Sequence, residues 1–342
     1  NAALQTAAFT NDKTGEIDMG VVTDSLPYVL LLVGALAMGV MMVVSKRRNV
    51  ERFHVPEINP HTRCRMRQSP WRIPVSPRDG RYGPMKVSKW ILKAANGLLS
   101  AVVSLCLLVV GACAVYALWD NAQVYAAVED VQSDMLQRKP VAPETGEEGP
   151  TFEELLKING DVCAWLTLDG TEIDYPVLQG ENNLSYINTD VYGNFALAGS
   201  IFLDSSCSRS FQDSYHLLYG HHMEGGKMFG DLDRYKDQTF FQEHTTGTLI
   251  LPDRSYTLRV FACLVEPASE PAIFSPWQWK EDVSGLMDFV DENALLVRQE
   301  TVDQIRASEE HPQVLAMSTC ASEFTDARTI LLALMEPHSP ER

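Results

Sequence analysis

The alternation of apolar and polar residues predicts about eight short strands between Thr151 and Met335. The apolar or alternating runs are separated by turn-forming residues, and they read VCAWLTL, IDYPVL, SIFLD, YHLLYG, GTLILP, YTLRVFACLV, QVLAMST and TILLALM. Strands at this spacing are typical of a closed or nearly closed barrel. The pattern therefore predicts a mainly β domain.

Helical periodicity replaces this alternation at two places. The run TFEELLKI predicts a helix at the start of the domain, with Thr151 as its capping residue. The run WQWKEDVSGLMDFVDENALLV, from Trp277 to Val297, predicts a longer amphipathic helix between late strands.

Two apolar runs without a charged residue precede the domain. They extend from Leu26 to Val44, 19 residues, and from Gly97 to Leu118, 22 residues. As helices they would be roughly 28 and 33 Å long, close to the thickness of the hydrocarbon core of a bilayer. Buried core helices are the alternative, but such helices rarely stay uncharged over this length. We predict transmembrane helices over residues 26–45 and 94–118.

Charge is distributed unevenly along the chain. The net charge is −17, yet the segment between Lys46 and Lys93 has 13 basic and 3 acidic residues. The positive-inside rule places this basic loop, residues 46–93, in the cytoplasm, so that residues 1–25 and everything after Leu118 face outside. The acidic remainder argues against a nucleic-acid partner, which would need a basic face.

The chain between the second span and the barrel is expected to form a stalk. Asn121 to Gln137 can continue as a helix, and RKPVAPETGEEGP then has the Pro, Gly and Glu content of a linker. We assign residues 119–150 to this stalk and linker and residues 151–336 to the globular domain. The predicted fold class is thus mainly β, a closed eight-stranded barrel with an N-terminal helix and an extra helix between late strands, preceded by two transmembrane helices.

The seven cysteines do not have the spacing of a metal site or of a disulfide-stapled miniprotein. We interpret Cys163 and Cys263 as small hydrophobic residues of the core, with a disulfide bridge as the alternative. We expect neither a cofactor nor a bound metal.

One cysteine and one arginine are predicted to face each other across a hairpin. Residues that alternate along a strand share a face, which groups Val314, Ala316, Ser318 and Cys320 on one strand and Arg328, Ile330, Leu332 and Leu334 on the next. A connecting loop that is symmetric about Phe324 sets Cys320 opposite Arg328. A neighbouring guanidinium favours the nucleophilic thiolate and can also stabilise an oxyanion. A buried cysteine beside a surface arginine without a catalytic role remains the alternative.

A thiol enzyme also needs an acid that protonates the leaving amine, and histidine is the usual group. His221 and His222 follow the strand YHLLYG in the run YGHHMEGGKMFGDL. A metal site is the alternative, but it would usually need a further ligand at a suitable spacing. His216 lies inside the strand pattern and is expected to be a structural side chain.

These motifs together resemble those of the sortases, the membrane-anchored cysteine transpeptidases of Gram-positive bacteria. The resemblance rests on YGHHM followed by GKMF, on STC, and on an arginine eight residues after that cysteine. It is closest to the class B branch and covers roughly Phe152 to Met335, including GTEIDYPVLQGENNLSYI and GSIFLD. The resemblance implies a sortase-type β-barrel.

The resemblance also implies roles for individual residues. Cys320 matches the nucleophile of the family, and His221 and Arg328 match its histidine and arginine. His222 stands where members often carry Asn or His, so it is expected to be a neighbour of the site. Positions that line the substrate groove of the family correspond to Ser318, Asn183 and Ile187.

The implied reaction is cleavage of a Thr-Gly type bond and transfer of the acyl group to an amine of the cell wall. The expected partners are surface proteins that carry a sorting motif, a peptidoglycan precursor or cross-bridge amine, and the membrane. The expected location is the cell membrane, with the catalytic domain on the extracellular face.

The segment before the first span departs from the family pattern. A class B sortase normally has one membrane helix, whereas here NDKTG and a second apolar span with a basic tail come first. This arrangement resembles the sorting signal of a sortase substrate, with Asn11, Thr14 and Gly15 as the possible motif. A membrane anchor that happens to follow a Thr-Gly pair is the alternative.

Two other functions are compatible with the same residues. A cysteine protease would release the acyl group to water, which the sequence does not distinguish from transpeptidation. A non-catalytic surface protein would use only the sorting signal, but binding alone does not require Cys320, His221 and Arg328 together.

The charge pattern makes a prediction about topology. We expect proteolysis of intact spheroplasts to remove the domain after Leu118 and to spare Arg63 to Arg81, because the basic loop should lie inside. Permeabilised cells, in which both regions are open to the protease, serve as the control. Cleavage of the loop with protection of the domain would reverse the predicted topology.

Overall fold

The computed structural model describes residues 26–51, 86–146, 148–308, 311–320 and 327–338. The chain divides into two compact units, one formed by Ser25–Asn121 and the other containing Ala122–Arg342. The possible sorting motif at Asn11, Thr14 and Gly15 and most of the predicted basic loop lie outside the described residues.

Two helices form the first unit. Helix α1 spans Leu26–Glu51, and helix α2 spans Lys86–Leu136 and continues into the second unit. Among the described residues, one helical stretch, Lys93–Leu136, is long and apolar enough to cross a membrane, and Pro27–Met41 is a shorter apolar helix. By this criterion the second predicted span is supported, whereas two membrane helices are not shown.

The second unit is built on a closed sheet of eight strands. Around the barrel the strand order is β5-β1-β2-β3-β4-β8-β9-β6, and pairing of β6 with β5 closes it. A further strand of two residues, β7, pairs with β6 and is not part of the closed ring of eight. The strands are β1 Val162–Leu168, β2 Asp174–Leu178, β3 Ile201–Leu203, β4 Tyr215–Tyr219, β5 Thr246–Ile250, β6 Ser255–Pro267, β7 Leu296–Val297, β8 Gln313–Cys320 and β9 Ala327–Pro337.

The predicted closed eight-stranded barrel is confirmed by this topology. Each of the eight apolar runs forms one strand of the barrel. The strand pairs β2–β3 and β4–β8 are parallel, and the other strand pairs of the barrel are antiparallel. Closure leaves the eight-stranded wall without a free edge, which is how such barrels satisfy their backbone hydrogen bonds.

Apolar side chains fill both faces of the barrel wall. Successive residues of a strand point to opposite faces, so Leu217 and Leu218 belong to different hydrophobic clusters. The cluster of Leu217 also contains the predicted face partners Val314, Ala316, Ile330, Leu332 and Leu334. Because both faces are buried, the strands read as nearly continuous apolar runs.

Short helices cover the wall between the strands. They are α3 Phe152–Ile158, α4 Gln238–Glu243, α5 Pro271–Phe274, α6 Ser284–Asn293 and α7 Gln299–Ala307. The predicted opening helix is therefore present as α3, and Thr151 is its N-terminal cap residue by position, without a side-chain capping bond.

The late helix is shorter than the sequence predicted. The run from Trp277 to Val297 begins in a 3-10 turn, and helix α6 starts only at Ser284, whose amide donates to Asp282 Oδ1 at 2.8 Å. The apolar end of the run leaves the helix because Leu296 and Val297 pair with β6. A strand partner thus overrides helical periodicity there.

The last turns of α2 pack against the barrel. Met135 is 1% exposed, and Val128 is also buried in the core. Gln132 donates from Nε2 to the carbonyl of Glu172 at 2.9 Å and accepts from Lys227 Nζ at 3.3 Å. The predicted continuation of the membrane helix is thus part of the globular unit.

The cysteine interpretation agrees with the structure. Cys163 and Cys263 are 3% and 0% exposed and lie in the hydrophobic cluster that also contains Leu218. Burial raises the pKa of the Cys163 thiol to about 12, so this thiol stays protonated.

Candidate active site

The parallel pairing of β4 with β8 brings two predicted site residues to the same end of the barrel. Tyr219 is paired with Ser318, and the amide of Gly220 donates to the carbonyl of Ser318 at 3.2 Å. His221 and Cys320 each come two residues after these partners. Because parallel strands end at the same edge, His221 and Cys320 follow adjacent strand ends.

The antiparallel pairing of β8 with β9 adds the third residue. Cys320 and Arg328 are directly opposite in the register. This confirms the predicted hairpin register, and it places the backbone of Cys320 between the strand that leads to His221 and the strand that begins near Arg328. The three residues therefore lie on neighbouring strand ends.

The surroundings of these residues are largely shielded from water. His221 is 2% exposed and Arg328 is 5% exposed. Ser318 and Thr319, which precede Cys320 on β8, are fully buried. A guanidinium in such surroundings acts through a lower dielectric than in water, so it interacts more strongly with a nearby negative charge.

A tight turn returns the chain after His221. The turn passes through Gly225 and Gly226, both at positive φ, where a side chain would strain the backbone. The amide of Phe229 then donates to the carbonyl of His221 at 3.0 Å. Gly220 is held close to Ile201 and the Phe229 ring, with no room for a Cβ atom. The turn thereby fixes the backbone around His221.

The His222 side chain is oriented by the carboxylate of Asp233. Its Nε2 lies 3.2 Å from Asp233 Oδ2, and Asp233 Oδ1 accepts from Thr329 Oγ1 at 2.6 Å. Burial opposes ionisation of Asp233, but the bonds from His222, Thr329 and Lys236 outweigh it and lower the pKa of the carboxyl to about 2. Asp233 is therefore a carboxylate throughout the neutral range.

The predicted groove residue Asn183 is linked to the end of β4. Asn183 Nδ2 donates to Asp204 Oδ2 at 2.8 Å, and the Tyr219 hydroxyl donates to the same carboxylate oxygen at 3.1 Å. The amide of Ser205 donates to Asn183 Oδ1 at 2.7 Å. Ile187 is half-buried and packs against the cluster that contains Tyr219. The segment that carries Asn183 and Ile187 therefore borders the strand that leads to His221.

A glutamate on β6 extends the row formed by Cys320 and Arg328. Glu266 is directly opposite Arg328 in the register of β6 and β9. Burial, with a further contribution from Glu270, raises the pKa of the Glu266 carboxyl. The edge of the site thus carries acidic side chains as well as the buried guanidinium.

Sequence reasoning did not identify Asp233, Asp204 or Glu266. Asp233 and Asp204 each have one local partner, Lys236 and Ser206, but their other side-chain partners come from segments further away along the chain, so no local spacing marks these carboxylates. The alternation of β6 could have suggested Glu266, because it ends the apolar run YTLRVFACLV. Among the described residues, no group of three or more His, Cys, Asp or Glu side chains could hold a metal ion.

His216 is a core residue, as the strand pattern predicted. It is fully buried, and its ring centroid lies 4.8 Å from that of Phe211. Burial lowers the pKa of its imidazole to about 4. His216 is therefore neutral near pH 7 and takes no part in the row of strand ends described above.

Comparison with known proteins identifies relatives of the chain. Sortase B of Listeria monocytogenes is 33% identical over 145 residues, which cover 42% of this chain and 59% of that protein. Sortase B of Staphylococcus aureus is 29% identical over 177 residues, which cover 52% of this chain and 70% of that protein. No family model matches the chain.

The fold comparison gives the same family. The solved Staphylococcus aureus sortase B-substrate complex has a TM-score of 0.52 at 26% identity, covering 65% of this chain and all of that chain. The alignment with the Listeria protein spans about three-fifths of its length. The matched region of this chain is thus similar to these proteins in sequence and in fold.

The burial of His216 predicts a pH dependence of folding. The unfolded chain takes up a proton on this ring below about pH 6.5, whereas the folded chain resists until about pH 4. Stability is therefore lost as the pH falls between these values, by roughly 3 kcal/mol at most. Urea unfolding between pH 7 and pH 4 should show a shallower loss in His216→Gln than in the wild type.

The control for this prediction is His244→Gln, the same change at a half-buried histidine. An NMR titration of the His216 ring in the wild type provides a second measurement. A ring that titrates near pH 6.5 in the folded protein would contradict the prediction.

Proposed function

The chain belongs to the class B sortases, and we propose that it is a cysteine transpeptidase that cleaves a Thr-Gly type bond in a sorting motif. The acyl group is then transferred to an amine of the cell wall, which anchors a surface protein to peptidoglycan. The observation that carries the proposal is the order of the strand ends, with Cys320 between the strand of His221 and the strand of Arg328.

The first half of the reaction forms a thioester. The Cys320 thiolate attacks the carbonyl carbon of the threonine, and the carbonyl oxygen becomes an oxyanion. Arg328, with its forked donors in a buried position, stabilises that charge. The bond to glycine then breaks, and His221 gives a proton to the departing amine.

The second half releases the product. An amine attacks the thioester, the Arg328 guanidinium again stabilises the oxyanion, and His221 accepts the proton that the amine loses. The carbon-sulfur bond breaks, so the thiolate of Cys320 is restored. Each cycle therefore exchanges one amide bond for another, without a cofactor.

The substrate is proposed to lie against the segment around Asn183. The side-chain amide of Asn183 is bonded to the Asp204 carboxylate and to the backbone amide of Ser205, so its position is fixed before a substrate binds. Ile187 supplies an apolar surface, and Ser318 precedes the proposed nucleophile by two residues on β8 and is paired with Tyr219 of β4. These three residues are proposed to contact the sorting motif.

The membrane arrangement follows from the charge pattern and from α2. Lys93–Leu136 has the length and composition of a membrane-spanning helix. We propose that the predicted span within it, residues 94–118, anchors the enzyme, with the barrel on the extracellular face and the basic loop in the cytoplasm. The substrate proteins and the peptidoglycan amine would then meet the site outside the membrane.

Turnover of short peptides tests the reaction directly. The full chain in detergent micelles should cleave some members of a panel of Thr-Gly peptides, including Asn-Pro-x-Thr-Gly sequences and NDKTGE. Mass spectrometry should show the amine-linked product when a short glycine peptide is present and a thioester on Cys320 when it is absent.

The same panel separates the alternatives. Release to water alone, unchanged by the glycine peptide, would indicate a protease. Absence of both turnover and thioester would favour a non-catalytic surface protein. Cleavage of NDKTGE between Thr14 and Gly15 would support the interpretation of the N-terminal segment as a sorting motif. If the other peptides are cleaved and NDKTGE is not, the N-terminal segment is a membrane anchor.

Substitutions test the roles of the three residues. Cys320→Ala should abolish turnover, and His221→Ala should lower kcat by about 10²- to 10⁴-fold, the usual range for loss of an acid-base group. His222→Ala should cost much less. Arg328→Lys should fail badly because an ammonium lacks the planar fork of donors. Arg306→Lys, which alters a guanidinium that pairs with Asp288 and Asp291 on the surface, is the matched control.

Equal losses at His221 and His222 would contradict the assignment of the acid. Full activity of Arg328→Lys would show that a point charge is sufficient. Unfolding curves that match the wild type are needed for each variant.

A further inference from the structure

One carboxylate connects the segments on both sides of the site. Asp233 Oδ2 lies 3.2 Å from His222 Nε2, and Asp233 Oδ1 accepts from Thr329 Oγ1 at 2.6 Å. Lys236 Nζ lies 2.9 Å from the same Oδ1. The Asp233 side chain is 28% exposed, so these bonds are only partly open to solvent.

The partners of Asp233 are neighbours of the proposed catalytic residues. His222 follows His221, and Thr329 follows Arg328. Thr329 is also directly opposite Thr319, the residue before Cys320. A single side chain therefore holds the residue next to the proposed acid and the residue next to the proposed oxyanion donor.

Strand geometry places Asp233 behind the site. Adjacent residues on β9 point to opposite faces of the wall, so the Thr329 hydroxyl and the Arg328 guanidinium face opposite sides. Asp233 bonds to the Thr329 side. It therefore acts from the rear of the wall and not on the substrate.

The bonds at Asp233 are of a strong kind. Hydrogen bonds to an ionised carboxylate are shorter and about twice as strong as neutral ones. Three donors on one carboxylate also keep its pKa low, at about 2, so the charge persists across the neutral range. The connection is therefore stable under the conditions in which a thiol enzyme works.

The turn after His221 needs such a connection. Gly225, Gly226 and Met228 all have positive φ, and two of them are glycines with unusual conformational freedom. The Phe229 amide fixes the carbonyl of His221, and the side-chain bond from His222 joins this turn to Asp233, on the 3-10 helix Gly230–Lys236, which is in turn bonded to Thr329 of β9.

We propose that Asp233 is a positioning residue that holds the turn of His221 in register with the β9 strand of Arg328. The inference rests on the proposed function, because it assigns Asp233 to the same reaction. Loss of the carboxylate should misplace the acid relative to the guanidinium without altering the surface that binds the motif. A shift of about 1 Å in such an arrangement can cost about 10²-fold in rate.

The experiment compares kcat and KM for the full chain in micelles. Asp233→Ala should lower kcat by about 10- to 100-fold and change KM for the sorting peptide by less than about twofold. Thr329→Val should lower kcat as well, whereas Thr329→Ser, which keeps the hydroxyl, should restore it. His222→Gln, which keeps an N–H donor, should be closer to wild type than His222→Leu.

The control is Asp237→Asn, a change of charge on the same segment. Asp237 caps helix α4 by accepting from the Phe240 amide at 2.9 Å, and asparagine caps equally well. The double variant Asp233→Ala with Thr329→Val should lose little more than Asp233→Ala alone, because the two share one interaction.

A structural role alone gives a different result. If Asp233 only stabilises the fold, then Asp233→Ala would lower the midpoint of urea unfolding and the fraction of Cys320 that iodoacetamide can label. The kcat per labelled site would stay normal. That result would overturn the proposal, as would a kcat within twofold of wild type in both Asp233→Ala and Thr329→Val.

A second readout separates this inference from the proposed function. The rate at which iodoacetamide alkylates Cys320, followed by peptide mapping against pH, requires no sorting peptide. If the wild type turns over no peptide, the proposed function fails. A slower alkylation near pH 7 in Asp233→Ala than in Asp237→Asn would then still support the positioning role, and equal rates would overturn it.

Discussion

The parallel ladder between β4 and β8 is the constraint on which the rest of the site depends. These strands are far apart in the sequence, yet Tyr219 and Ser318 are partners in one register. A slip by one residue would turn every side chain of a strand to the other face of the wall. The apolar clusters on both faces resist such a slip. The packing of the barrel therefore also sets where the residues that follow the two strands emerge.

The wall separates two kinds of charge. Arg328 is buried at the site, while Asp233 collects donors on the other side of the same strand. Placing the guanidinium and the carboxylate on opposite faces prevents them from neutralising each other as a direct ion pair. The carboxylate instead holds the residues that adjoin His221 and Arg328 in the sequence.

Much of the fold could be predicted from the sequence, because a strand buried on both faces has a long apolar run and its ends carry turn residues. The pairing of Cys320 with Arg328 was also predictable, since a short loop between two strands leaves few registers. The late helix was wrong in length because the end of its apolar run, Leu296 and Val297, found a partner on β6. The bonds from Asp233 to Thr329 and from Asp204 to Asn183 and Tyr219 join segments that are separate in the sequence, so no local pattern contains them.

The packing of the end of α2 determines how the barrel can be isolated for study. The Tyr125 hydroxyl accepts from the Glu224 amide at 3.2 Å, and Glu224 lies in the turn after His221. A soluble fragment cut at the start of α3 would lose this contact together with the buried side chains of Val128 and Met135. It would expose apolar surface and release the turn on one side. A fragment that begins at Ala122 keeps these contacts and leaves the apolar part of the helix behind.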